Sequence, residues 1–311
     1  MIISASRRTD LPAAHPRWLM ERFHEGHVLV RNPMNRHQVS RISLRPEDVD
    51  GIVFWTKNPQ PFMEYLNYFK KYAYYFQFTL TGYGADVERN LPSHAERLDT
   101  FLRLADKIGP DRVLWRYDPI LLNAKYTSDW HLETFRRYAE KLKGATKRAT
   151  ISFVDTYARN RRQLEALGCV GIDEETMRTM AWEIAAIARL NGMQAVSCAE
   201  EVELIDCGVS HASCVDAELL SKISGFPLKS GKDPNQRSAC GCALSTDIGA
   251  YNTCPNGCAY CYANYSQPFL HTNLARRNDD SPILCDHITD EDRITAKAST
   301  SLKDAQLRME F

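Results

Sequence analysis

Gly51-Ile52-Val53-Phe54-Trp55 is a continuous apolar run typical of a buried β-strand, and the chain after it carries Phe62, Leu66 and Phe69 at helical spacing. This strand-then-helix unit recurs along the chain, which predicts a parallel sheet with connecting helices. Further strands are predicted at residues 2–6, 74–80, 112–115, 149–154, 193–197, 212–215 and 247–251. About eight such units predict an α/β fold, a complete or near-complete (β/α)8 barrel of the TIM type, with a doubly wound open sheet as the alternative.

Two departures from the repeating unit are predicted. Apolar stretches at 28–30 and 39–44 flank Asn32-Pro33-Met34-Asn35, which indicates a β-hairpin inserted before the second strand. We predict that residues 1–270 form the barrel and that the more polar residues 271–311 form a C-terminal extension packed on it, with a helix near 290–309.

The composition excludes several classes of protein. The 311 residues carry 39 basic and 39 acidic side chains, so the chain is not a globally basic protein that coats nucleic acid. No apolar run approaches the ~20 residues that a membrane helix needs. Because no long apolar segment follows Arg7-Arg8, no export signal is predicted, and we expect a cytoplasmic protein without a membrane partner.

The cysteines carry the strongest chemical signal. All ten lie in the second half of the chain, and Cys254, Cys258 and Cys261 form a C-x₃-C-x₂-C motif in a loop at 254–261. Three thiolates can hold three irons of a [4Fe–4S] cluster and leave the fourth iron open to another ligand. A closed zinc site usually has four ligands, so zinc is the weaker interpretation.

The motif, with Tyr260 just before its third cysteine, resembles that of radical S-adenosylmethionine (SAM) enzymes, and residues 258–264 look most like their spore photoproduct lyase-like branch. Almost the whole chain is also similar to an uncharacterised bacterial family that shares the segments 4–10 and 54–59 and the late cysteines. The first resemblance implies that the open iron chelates SAM and that SAM is cleaved reductively to methionine and a 5′-deoxyadenosyl radical. It also implies a small-molecule or nucleotide-type substrate and an electron donor such as flavodoxin or ferredoxin.

The late position of the motif departs from that family, in which it follows the first barrel strand. If residues 247–251 take the place of that first strand, the chain is a circular permutation of the family's order and residues 2–6 form the second strand. Arg7, Arg8, Thr9 and Asp10 would then lie where the family contacts the amino-acid part of SAM. No Gly-Gly-Glu-type segment follows the cysteine motif.

Four other cysteines, Cys198, Cys214, Cys240 and Cys242, fall near the ends or starts of predicted strands and are expected to converge. Four thiolates could complete a second [4Fe–4S] cluster or a zinc site, or the four could be reduced, buried thiols. Cys207 could replace Cys214, because both lie on the same connection.

Polar residues at the predicted strand ends nominate an active site, because barrel active sites form at the carboxyl ends of the strands. The catalytic candidates are Arg7, Arg8, Asp10, Lys57, Arg116, Asp118 and Asp155. The cofactor-binding candidates are Arg7, Thr9, Asn58, Thr79, Tyr260 and Asn252. An arginine suits a carboxylate, which it binds with two parallel hydrogen bonds, whereas an aspartate can bind ribose hydroxyls or move protons.

Two other functions remain open from the sequence. The first is an iron–sulfur oxidoreductase that does not use SAM. The second is a zinc-stabilised nucleic-acid-binding protein, in which the basic run 159–162 would contact phosphates together with Arg31, Arg36 and Arg41 of the hairpin. The neutral net charge gives this second function no support.

Overall fold

The computed structural model describes residues 1–304. The strands are β1 (Ile2–Ala5), β2 (His27–Asn32), β3 (Asn35–Ser43), β4 (Gly51–Thr56), β5 (Tyr74–Thr79), β6 (Val113–Ile120), β7 (Arg148–Phe153), β8 (Gln194–Ser197), β9 (Ser210–His211), β10 (Thr246–Asp247) and β11 (Arg293–Ala296). The helices are α1 (Leu11–Ala14), α2 (Pro16–Glu25), α3 (His94–Ile108), α4 (Ser128–Lys141), α5 (Arg161–Ala166), α6 (Glu174–Leu190), α7 (Ala217–Ser224) and α8 (Gln267–Ala275). None of these helices has the length and apolar character needed to cross a membrane.

The main sheet has eight strands in the order β10-β1-β4-β5-β6-β7-β8-β9, and every neighbouring pair is parallel. The predicted α/β fold is therefore confirmed. From β1 to β9 the order follows the chain in one direction, so this part lacks the switch point of a doubly wound sheet, although the sheet is open as that alternative predicts. The closed barrel is not confirmed, because the edge strands β9 and β10 do not pair with each other within residues 1–304.

The two faces of this sheet bury different sets of side chains. One face, which includes Ile3, Phe54 and Trp115, packs in the larger apolar cluster with residues of the connecting helices. The other face, which includes Val53, packs with Leu220 of α7 and with the chain at 214–243. The side-chain period of two along each strand produces this division.

The strand β10 joins the far end of the chain to its beginning. Asp247 accepts hydrogen bonds from the hydroxyls of Ser4 (3.0 Å) and Ser6 (2.6 Å) and from the backbone amides of Arg7 (2.8 Å) and Gly249 (3.0 Å). Ile3 pairs with Thr246, and Ser4 with Asp247, in parallel register. The predicted neighbourhood of the 247–251 region and the first strand is therefore confirmed.

Local sequence signals account for most helix ends. Ser93 and Glu96 form a reciprocal capping box at the start of α3, and Asp173 caps α6 by accepting the amide of Thr176. The segment Gln60–Lys71 is a 3₁₀-helix, yet it still buries Phe62, Leu66 and Phe69 as predicted.

Three predicted elements differ from the structure. The seventh strand is Ser210–His211 instead of 212–215, and the eighth is Thr246–Asp247 instead of 247–251. The apolar character of Cys214 and Val215 reflects packing against the sheet and not strand formation. The Tyr75 hydroxyl donates to the Cys214 carbonyl at this contact (2.6 Å). The terminal helix near 290–309 was wrong over 290–304, where β11 pairs in parallel with β3 and no helix forms; 305–309 lie outside the described residues.

The inserted hairpin is confirmed, with β2 and β3 antiparallel. The C-terminal extension contacts this hairpin through β11 and the amino-terminal end of the sheet through Asp50, which accepts the Ser301 hydroxyl (2.8 Å) and the Leu302 amide (2.7 Å). The division at residue 270 stays a prediction; α8 runs across it.

The Asp247 contacts generate a stability prediction. Replacing Asp247 by alanine leaves two backbone amides and two hydroxyls without their acceptor, so we expect the free energy of unfolding to fall by about 3 kcal/mol. Urea denaturation followed by circular dichroism measures the change as a lower midpoint. Asp106→Ala removes an exposed carboxylate from α3 and serves as the control. Equal midpoints for the two variants would contradict this role of Asp247.

Candidate functional site

The three-cysteine loop lies at the carboxyl edge of the sheet, directly after β10. Asn252 closes the base of the loop, since its side-chain oxygen accepts the amides of Tyr265 (3.0 Å) and Ser266 (3.1 Å). The backbone amide of Asn252 donates to the carbonyl of Ala263 (2.9 Å). Asn252 thus shapes the loop by contacts within the protein, although the sequence had nominated it as a cofactor ligand.

Asp10 connects the loop to two strand ends. Its carboxylate accepts the amide of Lys57 after β4 (2.8 Å), the side-chain amide of Asn256 in the loop (3.1 Å) and the amide of Ala13 in α1 (3.1 Å). Burial raises the pKa of Asp10, and these hydrogen bonds oppose the increase. The loop is therefore fixed above β1 and β4.

A buried ion-pair network lies beside the loop. The Glu88 carboxylate contacts Lys57 Nζ at 2.8 Å and Arg97 Nη1 at 3.3 Å, and it accepts the hydroxyls of Thr81 (2.8 Å) and Tyr260 (2.5 Å). Burial alone would raise the pKa of Glu88, but the charges of Lys57 and Arg97 lower it to about 2. Glu88 is thus ionised and holds Lys57 beside the cysteines.

The three thiols occupy an environment that keeps them protonated. Cys254 is buried, and Cys258 and Cys261 are half-buried. Burial raises the pKa of all three, to about 12 for Cys254. Nearby backbone amides oppose this increase in pKa: those of Asn256 and Asp10 act on Cys254, and those of Ala263 and Asn264 act on Cys261.

The residues after β1 have divided roles. The Thr9 hydroxyl donates to the Ala250 carbonyl (2.6 Å) and is therefore used inside the protein. The Arg7 guanidinium lies 5.2 Å from the centre of the Trp55 ring, and the Arg8 guanidinium lies 5.1 Å from that of Tyr251. Both guanidinium groups thus lie against aromatic rings, and Arg7 is also close to Cys242.

A cavity adjoins these arginines. Its volume is about 520 Å³, which lies in the range of small-molecule sites. Its lining includes Arg7, Arg8, Asp247, Tyr251 and Tyr262. Because Tyr262 directly follows Cys261, the cavity borders the three-cysteine loop.

The second set of cysteines also converges. Cys198 Sγ lies 2.7 Å from Cys214 Sγ, and Cys214, Cys240 and Cys242 are buried together in one cluster against which Cys198 packs. The thiols of Cys214 and Cys240 lower the pKa of Cys242, helped by the nearby charge of Arg7. Cys207 does not replace Cys214, because it lies in the larger apolar cluster and contacts Asp206.

Arg116 joins this second set to the sheet. It is fully buried, and its Nη1 lies 2.7 Å from Cys214 Sγ. Its Nε donates to the Asp118 carboxylate (3.0 Å). The pair Arg116–Asp118 is therefore both a structural ion pair and a source of positive charge at the sulfurs.

The remaining nominated residues are Asn58, Thr79 and Asp155. Asn58 accepts the amide of Gln60 (3.4 Å) at the start of the 3₁₀-helix, and Thr79 ends β5. Asp155 is exposed and pairs with Arg237 (2.6 Å). Lys57 Nζ and Tyr260 Oη, both of nominated residues, lie 2.6 Å apart.

Sequence reasoning missed Glu88, Arg97 and the Asp247 carboxylate. Glu88 lies outside any regular element and is separated by 172 positions from Tyr260, so no spacing connects them. Asp247 was assigned to a strand, and alternation does not predict that an acidic side chain on it would bind the neighbouring strand.

No group of three or more His, Cys, Asp or Glu side chains in residues 1–304 is arranged to hold a single metal ion. A single zinc ion binds sulfur at ~2.3 Å, so its thiolates must surround one point. Binding of an ion at either cysteine set therefore requires side-chain reorientation.

The buried network yields a second prediction. Glu88→Gln removes the negative charge between Lys57 and Arg97 and leaves two buried cations without an anion, so we expect a loss of about 3 kcal/mol in unfolding free energy. Chemical denaturation gives the difference, with Glu140→Gln on the exposed face of α4 as control. A loss no larger than the control's would show that the network does not stabilise the loop's surroundings.

One family model matches the chain. It is described as a domain of unknown function, DUF1848, and it matches residues 2–263. No curated protein is detectably similar to the chain. The match includes all eight strands of the main sheet, the three-cysteine loop and the second set of cysteines. The chain therefore belongs to the DUF1848 family.

Proposed function

We propose that Cys254, Cys258 and Cys261 hold a [4Fe–4S] cluster and that the chain is a radical SAM-type enzyme. The supporting observation is the position of the loop at the carboxyl edge of a parallel sheet, beside β1 and next to a cavity with two arginines. When bound, the cluster and SAM would supply reductive cleavage of SAM and thereby start radical chemistry on a substrate that is not identified. The reaction class rests on the resemblance of the cysteine motif.

The donor set fits such a cluster. Metal binding must displace three protons from the thiols, because the thiolate is the ligand. The amides directed at Cys254 and Cys261 would stabilise the resulting charge, and hydrogen bonds to sulfur also tune iron–sulfur potentials. A cluster distributes its thiolates over different irons, so the three sulfurs need not surround one point.

Lys57 has a defined part in this proposal. Glu88 and Tyr260 fix its ammonium group, and its charge acts on Cys258 and Cys261. A fixed cation at this place favours thiolate over thiol. Lys57 thus favours metal binding by the loop and does not itself take part in the reaction.

The strand order supports a permuted, near-complete barrel. β10 lies beside β1 and leads into the cysteine loop, so it takes the place of the usual first strand of radical SAM enzymes, and β1 takes the place of the second. The connections of β1 to β9 run in one direction, as in a barrel, and the open side lies between β9 and β10. In this proposal 1–270 is the catalytic barrel.

Arg7 and Arg8 are the residues that we assign to an anionic group in the cavity, such as the carboxylate of SAM. Guanidinium binds carboxylate with two parallel hydrogen bonds. Thr9 and Asp10 position the loop. Reduction requires an electron donor such as flavodoxin or ferredoxin, and the ten free cysteines suit a reducing cytoplasm.

The proposal is tested by anaerobic preparation with iron and sulfide counts. The wild type should carry about four irons per chain, and Cys258→Ser should lose them. With SAM and a reductant, the wild type should release 5′-deoxyadenosine and Cys258→Ser should release none. Cys207→Ser, which changes a buried thiol outside both sets, should behave as the wild type. A wild type without iron would refute the cluster.

One observation favours a second candidate, an iron–sulfur oxidoreductase that does not use SAM. The side chains of Thr9 and Asp10, expected to contact SAM, are bonded within the protein. Iron without 5′-deoxyadenosine would select this candidate. The nucleic-acid function gains no support, since Arg31 of the hairpin is neutralised by Asp286 (2.6 Å) and Asp292 (2.5 Å).

A further inference from the structure

Four cysteines from three separate segments meet against one face of the main sheet. Cys198 directly follows β8, Cys214 follows the edge strand β9, and Cys240 and Cys242 precede the other edge strand, β10. Cys198 Sγ lies 2.7 Å from Cys214 Sγ, and Cys214, Cys240 and Cys242 are buried in one cluster against which Cys198 packs. The same cluster contains Ile2, Val53, Tyr75 and Leu114, so the thiols lie against one face of the sheet, over β1, β4, β5 and β6.

The backbone around these thiols is fixed. The Cys214 carbonyl accepts the Tyr75 hydroxyl (2.6 Å) and the Gln77 side-chain amide (2.8 Å), both from β5. The Cys242 carbonyl accepts the Asp233 amide (2.9 Å), and the Cys242 sulfur accepts the Val215 amide (3.4 Å). The backbone positions of Cys214 and Cys242 are therefore fixed by hydrogen bonds in which the thiol groups are not donors.

The surroundings of these thiols differ from those of ordinary buried cysteines, which pack as small hydrophobes. Arg116 Nη1 lies 2.7 Å from Cys214 Sγ, and the Arg7 guanidinium faces Cys242. Arg7 Nη2 is buried and has no hydrogen-bond partner among residues 1–304. A buried cation is costly without a compensating anion, so the site favours thiolate charge.

We propose that Cys198, Cys214, Cys240 and Cys242 form a second metal site, which holds one tetrahedral zinc ion and joins three segments of the chain over this face of the sheet. Four thiolates around zinc give a net charge of −2, which Arg7 and Arg116 offset. The protons leave the thiols on binding, and no electron transfer is required. Its ligands are separate from those of the proposed iron–sulfur cluster.

The one short sulfur–sulfur distance is closer to the spacing of a single ion than to that of a second cluster. Tetrahedral zinc with bonds of ~2.3 Å holds its sulfurs ~3.8 Å apart. A cluster binds one thiolate per iron and separates them further. Cys198 Sγ and Cys214 Sγ lie 2.7 Å apart, whereas no such contact is found among Cys254, Cys258 and Cys261 in residues 1–304. Zinc binding would require the side chains to rotate until the four sulfurs surround one point.

Metal counts on four proteins test the proposal: the wild type, Cys240→Ser, Cys258→Ser and Cys207→Ser. We expect about one zinc per chain in the wild type, Cys258→Ser and Cys207→Ser, and a loss of zinc in Cys240→Ser. Iron should be lost only in Cys258→Ser, so the two sites fail independently. A wild type without zinc, or with about eight irons, would overturn the proposal.

A second measurement covers the case in which Cys240→Ser does not fold. Cobalt(II) added to zinc-depleted Cys258→Ser protein should give thiolate-to-cobalt charge-transfer bands and the visible ligand-field bands of a tetrahedral tetrathiolate. Zinc should then displace the cobalt and abolish both sets of bands. Octahedral-type spectra, or none, would refute a tetrathiolate site, whatever the result for iron or SAM.

Discussion

The arrangement depends on the carboxylate of Asp247. Two hydroxyls and two backbone amides converge on it, and three of these four donors belong to residues 4–7. The contact fixes β10 beside β1, and the cysteine loop follows β10 directly. A motif that comes after about 250 residues of chain is thereby placed over Asp10 and Lys57, which come from the first strands. The three-cysteine site is thus assembled from both ends of the chain.

The strands supply the core and the site at the same time. On the face of the sheet that α7 covers, Val53 and Tyr75 lie in the apolar layer. Two positions farther along the same strands come Trp55 and Gln77, which bond to Ser4 and to the Cys214 carbonyl. Because side chains alternate between faces, the polar layer lies above the apolar layer at the carboxyl end of the sheet.

Much of the fold could be predicted, because it depends on local patterns. Apolar runs and helix caps identified six strands and the capped helix α6, and turn residues identified the hairpin. The short edge strands could not be bounded, since Val215 is apolar for packing against the sheet and not for strand formation. The roles of Glu88 and Asp247 could not be foreseen, because each depends on a partner more than 170 positions away.

Buried positive charge is common to both cysteine sets. Lys57 lies beside Cys258, and Arg116 and Arg7 lie beside Cys214 and Cys242. A buried cation lowers stability unless an anion accompanies it, and Glu88 and Asp118 supply one carboxylate on each side. In the described part of the chain, Arg7 has no such carboxylate within hydrogen-bond reach of its buried Nη2. In the proposed zinc site, thiolate charge at the second set would balance the positive charge of Arg7. This would explain why an arginine, and not an apolar residue, lines this part of the sheet.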